Sequence, residues 1–175
     1  MLHKRNAIQK RWLKLVLETY PADAHRFLKA QKDRFANPVG FTISEQIENL
    51  FGGLLQGADN EGLFSALDRI IRIRAVQDFS PSRAVAFVFG LKRIILEECE
   101  KELRGMDSTE ELARFQDRID EVGLLAFDVY MKCREHLFGI RVNEVKTHVS
   151  RLLERAGLVC EIPEGEADPE EGSLT

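Results

Sequence analysis

Long apolar runs are missing from this 175-residue chain: the longest, residues 84–91, stops at Lys92, far short of the roughly 20 residues that a membrane-spanning helix requires. The amino end, MLHKRNAIQKRW, is basic but lacks the apolar stretch of a secretory leader. Cysteine is scarce too. Cys99, Cys133 and Cys160, odd in number and irregularly spaced, argue against a disulfide framework and fit a reducing compartment. The expectation is a soluble cytoplasmic protein without membrane insertion. Strand-like alternation is also lacking, because no segment keeps a period of two for long enough.

Catalytic signatures are absent as well. No G-x-x-x-x-G-K, G-x-G-x-x-G, G-x-S-x-G or H-E-x-x-H occurs, which removes the common phosphate cradles, the nucleophile elbow and the zinc-protease helix. None of His3, His25, His136 or His148 follows a Glu by three, so the paired E-x-x-H motifs of a di-iron bundle are missing. Cys133 and His136 have ligand spacing on one helix face, with Cys99 on the preceding helix, but a fourth ligand is lacking and core packing is the simpler reading. Lys132 and Arg134 beside Cys133 make it the candidate redox thiol, since neighbouring cations lower a thiol pKa. The expectation is a non-enzymatic chain with no cofactor and no metal.

A basic face is wanting too. The net charge is −4, and the tail alone carries Glu161, Glu164, Glu166, Asp168, Glu170 and Glu171 with no base, leaving the remainder close to neutral. Such a balance gives no electrostatic footprint for nucleic acid. With Pro163, Pro169 and three glycines, residues 157–175 cannot bury enough apolar surface to fold and read as a disordered acidic tail behind a domain of residues 1–156.

What the chain does contain is helical periodicity. Residues 2–20 place Ile8, Trp12, Leu15, Val16 and Thr19 on one face and stop at Pro21; a second helix is expected over 22–36. Asn37-Pro38-Val39-Gly40 reads as a break, with a third helix from about Thr42, where Glu45 completes a capping-box pattern, to a stop at Gly57. A fourth runs from Asp59 or Asn60 to Gln77. A fifth starts at the Ser80-Pro81 cap and ends at Gly105; its segment 84–89 is apolar all round and is expected in the core. Arg69, Arg72 and Arg74 cluster beside an apolar face, where pairing with Asp68 and Asp78 or snorkelling is favoured over anion capture. Glu97 and Lys101, like Asp128 and Lys132, are spaced for surface ion pairs.

From Ser108, with Glu111 in capping-box register, helical spacing continues to Ala156 without a proline, roughly 70 Å if unbroken. Such a helix must bend near Gly139 or outrun the body of a small domain. The stripe Val129, Cys133, Leu137, Ile140, Val145, Val149 and Leu152 is therefore the candidate interface of a homodimer, the commonest closed assembly.

RWLKLVLETYP (11–21), RFANPVGFT (34–42), IIRIRAVQDFSPSRAVAFVFGLK (70–92), AFDVYMKCRE (126–135) and IRVNEVK (140–146) together resemble the RsbRD amino-terminal domain family over about residues 5–150. The resemblance implies an all-α, globin-like bundle of about six helices without haem, usually dimeric. Such domains serve as sensory modules at the amino end of stressosome RsbT co-antagonist proteins and some histidine kinases. Similar stand-alone chains of sulfate-reducing bacteria, some beside a membrane redox complex, make a redox-responsive accessory role the alternative. Another signalling or redox protein is then the expected partner. Haem, the obvious ligand for a globin-like chain, is disfavoured because no histidine lies between Arg26 and Glu135, where a proximal ligand belongs. Phe64, Phe87 and Phe89 are expected to fill the corresponding pocket or to line it for a small apolar ligand.

Overall fold

The computed structural model of the protein describes residues 2–21, 35–77, 79–100 and 109–158, and among these residues there are five α-helices. A 3-10 turn at Leu2–Lys4 leads into α1 (Arg5–Glu18), followed by α2 (Pro38–Gln56), α3 (Asn60–Val76), α4 (Pro81–Glu98) and α5 (Thr109–Arg155). Among the described residues there is no strand, and no helix is long and apolar enough to cross a membrane. Residues 22–34 of the helix expected over 22–36, and the tail from Val159 onward, lie outside the described residues, while Phe35 and Ala36 form an exposed turn and not the helix's end. The chain divides into two units, Met1–Leu137 and Phe138–Thr175.

The helix ends show local chemistry that the spacing only partly anticipates. The N-P-V-G segment is the start of α2 rather than a break before it: buried Asn37 is the cap, its carboxamide oxygen accepting from the Gly40 amide at 2.8 Å, and Pro38 supplies the preset first-turn φ. Gly40 is required here, because a Cβ would lie 2.2 Å from the Asn37 side chain. Thr42 and Glu45 therefore sit inside the helix. Gly57 ends α2 in the left-handed region at φ 69°, and Asp59 caps α3 by accepting from the Gly62 amide. Pro81 opens α4, but Ser80 makes no side-chain cap bond, and the helix closes at Cys99. Gly157, at φ 66°, terminates α5 with the paired bonds from Gly157 N to Glu154 O and from Leu158 N to Leu153 O.

Within Met1–Leu137 the core is built around Trp12. This residue is fully buried, its ring stacks on Phe87 at 6.0 Å and meets Phe51 edge-on at 6.2 Å, and its indole N–H donates to the Phe87 carbonyl at 2.7 Å. A single side chain thus pins α1 to α2 and α4 while satisfying its one donor. α2 also packs against α3, and Gly90 of α4 lets Leu15 of α1 approach closely. The expectation that 84–89 is buried all round fails at two positions. Ala84, Val85, Phe87 and Val88 are buried, whereas Ala86 and Phe89 face outward, so α4 keeps an ordinary two-sided pattern. Phe89 lies against Gly123 of α5, and Phe64 is likewise partly exposed.

Candidate functional site

Polar side chains of α5 fasten the ends of other helices in the first unit. The Arg118 guanidinium donates to Ala58 O at 2.7 Å, Arg134 donates to Ala75 O at 3.1 Å, and the Tyr130 hydroxyl donates to Phe79 O. Each acceptor lies at or just beyond a helix carboxy-terminus, where carbonyls lack partners and the dipole favours a cation. The M-K-C-R-E helix and the R-A-V-Q-D-F-S-P-S segment are joined by these bonds.

Arg74 holds the other end of that segment. It is fully buried, and its guanidinium donates to Arg83 O (2.9 Å), Ala84 O (3.1 Å), Val16 O (3.2 Å) and Thr19 Oγ1 (2.6 Å). Its Cζ lies 4.9 Å from the Phe79 ring centroid, 5.0 Å from Phe87 and 5.8 Å from Tyr20. Among the described residues no carboxylate pairs with it, and burial lowers its pKa below the ordinary guanidinium value, with Tyr20 opposing. Tyr20, whose buried hydroxyl has no hydrogen-bond partner among the described residues, is pushed up by burial and pulled back by Arg74. The three clustered arginines thus separate into different roles: Arg72 pairs with Asp68 at 2.7 Å, Arg69 is exposed, and Arg74 is neither a surface ion pair nor a snorkelling side chain. Asp78, its expected partner, lies outside the described residues.

A groove of about 350 Å³ lies between α3 and α5, floored by Ala75, Val76, Val129 and Leu137 and edged by Arg72, Lys132 and His136, with Cys133 in its wall. Val129 is only 2% exposed and belongs to the core of its own chain, which removes it from any interface with a second copy. Cys133 and Leu137 are half-buried. Cys99 is buried in the core. Of the spaced surface pairs, Lys101 lies outside the described residues, Glu97 bonds Arg11 and approaches Arg93, and among the described residues Asp128 makes no ion pair with Lys132.

Burial pushes the Cys133 thiol above its ordinary pKa; Arg72 opposes this and Asp68 adds to it. The cations adjacent in sequence do not set this shift. Its direction favours the thiol over the reactive thiolate near neutral pH. With Cys160 replaced by serine, alkylation of Cys133 at pH 7 is expected to be at least about tenfold slower in the native protein than in the unfolded chain. Mass spectrometry of the labelled peptide measures this, and native labelling as fast as unfolded would restore the redox-thiol reading.

In the second unit, described residues 138–158 are exposed except for half-buried Val142. Phe138 (69% exposed), Val142, Val145 (63%), Val149 (46%) and Leu152 (50%) follow one another at steps of four, three, four and three. That is the spacing of a helix-packing seam. Ile140 is exposed but off this seam.

No curated protein and no solved structure matches the chain. Residues 6–145, which include the N-P-V-G cap, buried Arg74 and the α5 clamps but stop short of the end of α5, match the model of the RsbT co-antagonist protein rsbRD N-terminal domain, and the chain belongs to that family.

Proposed function

We propose that this chain is a non-enzymatic regulatory module that works as a homodimer and acts by binding another signalling or redox protein. Membership of the RsbT co-antagonist family supports the regulatory part of this reading. The observation that carries the dimer is the exposed seam of Phe138, Val145, Val149 and Leu152 around half-buried Val142. Scattered surface apolar residues need no explanation, but four large ones in coiled-coil register on one helix leave a continuous apolar strip in water. A second copy presents the same strip, and a twofold pairing buries both. Small shifts of one such helix against its mate are then the means of passing a signal on.

The interface proposed for this dimer is Val145, Val149 and Leu152 with Phe138 and Val142; exposed Ile140 falls on the opposite face of the helix, and Leu137 and Cys133 line the groove instead. Light scattering tests the reading. A mass of roughly twice the 20.0 kDa chain at tens of micromolar protein supports it, and a monomer refutes it.

A further inference from the structure

Lys132 and His136 stand exposed at the groove between α3 and α5, and among the described residues neither has a hydrogen-bond or ion-pair partner. Among the described residues the one acid that lines the groove, Asp68, is already engaged by Arg72 at 2.7 Å. The rim therefore carries two unpartnered hydrogen-bond donors, one of them the Lys132 ammonium. The floor is different: Ala75 and Val129 are buried, and Val76 is 66% exposed with no described residue covering it. An apolar floor beside an unpartnered ammonium and an imidazole N–H donor is complementary to a molecule with an apolar stem and an anionic head. The volume, about 350 Å³, lies at the lower end of the range for small-molecule sites and suits one ring or a short alkyl chain.

We propose that this groove binds a small organic carboxylate, its stem on Ala75, Val76, Val129 and Leu137 and its carboxylate held by Lys132 and His136. The inference deepens the regulatory reading and rests on it for its consequence: the ligand bridges α3 to the part of α5 that carries the clamps Tyr130 and Arg134. A ligand held there biases α5 only to the extent that it binds one arrangement of these helices better than another.

Cys133 in the groove wall provides the reporter. The full chain with Cys160→Ser is labelled at Cys133 by a small alkylating reagent at pH 7, with and without millimolar phenylbutanoate. Parallel samples contain the neutral analogue phenylbutanol or matched sodium chloride. Phenylbutanoate is expected to slow labelling at least about fivefold, and phenylbutanol less than twofold. In a Lys132→Gln, His136→Gln variant the ratio of rates with and without phenylbutanoate should fall to near one, with the helical spectrum unchanged. Absence of protection, or equal protection by the alcohol, overturns the proposal. So does labelling that slows with protein concentration alone, which identifies a second copy as the occupant. The solution mass of the same samples separates the two ideas: unprotected Cys133 in an intact dimer refutes the ligand and leaves the proposed function standing, whereas a monomer refutes the homodimer of that reading.

Discussion

Val149→Glu combined with Leu152→Glu is expected to turn the proposed dimer into a monomer at tens of micromolar protein. The two positions are 46% and 50% exposed in the single chain, so the substitutions cost its fold almost nothing. In a paired seam, each glutamate would be drawn from water into an apolar strip opposite its own twofold mate. Removing a charge from water without a partner costs several kcal/mol even after relaxation. About 4 kcal/mol lost from the association raises Kd roughly a thousandfold. The measurement is mass by light scattering together with the far-ultraviolet helical signal. Loss of dimer mass with the helical signal largely retained is the expected result. A double variant that stays dimeric places the interface elsewhere, and one that unfolds shows that this stripe belongs to the core of its own chain. Ile140→Glu is the matched control, since Ile140 is exposed on the opposite face of the helix and its replacement should leave association unchanged.

The seam illustrates which features were legible in the sequence. Periodicity identified α1, α2, α3, α4 and the long α5, because a buried face imposes its 3.6-residue repeat on any amphipathic helix. It could not distinguish a stripe buried within the chain from one left in water. Val129 and Val149 have the same side chain and stand on the same helix, yet one is 2% exposed and the other 46%. Only the positions of neighbouring helices decide between them. The same limit applies to Phe89, which periodicity placed in the core and which lies on the surface against Gly123. Cap chemistry was legible where the signal is local, as at Asp59, Pro81 and Gly57. It misled at N-P-V-G, where the same residues serve either a turn or a helix start, and the 2.8 Å bond from Gly40 to Asn37 shows which. The groove was half visible. Cys133 and His136 share a helix face, but Asp68, Arg72 and Ala75 arrive from α3, and no spacing rule joins them. Least visible of all was Arg74, since sequence reasoning places arginine at surfaces and this one is fully buried.

Arg74 therefore carries the second large expected effect. Its guanidinium makes four hydrogen bonds, three of them to main-chain carbonyls, and joins the carboxy-terminal turn of α1 to the first turn of α4. Bonds made by a charged donor contribute about 1.5–3 kcal/mol each when the partner can still be solvated, and less where burial of the charge must first be offset. Burial does lower the Arg74 pKa, so its desolvation opposes the bonds. The aromatic faces of Phe79, Phe87 and Tyr20 at 4.9–5.8 Å partly replace the lost water. Arg74→Ala removes the bonds and leaves a cavity, and is expected to cost about 4 kcal/mol, a fall in Tm on the order of 10 °C for a chain of this length. Arg74→Met refills most of the volume without a charge to desolvate and should cost about 2 kcal/mol. The order wild type, Met, Ala in thermal unfolding is the prediction. It should not change between pH 5 and 9, because the guanidinium is protonated in both folded and unfolded chains there. A folded-state pKa below the unfolded one adds stability only as pH rises into the guanidinium's own alkaline range. A methionine variant as stable as the wild type would show that the burial cost cancels the bonds, leaving Arg74 as a fixer of helix register and not a source of stability.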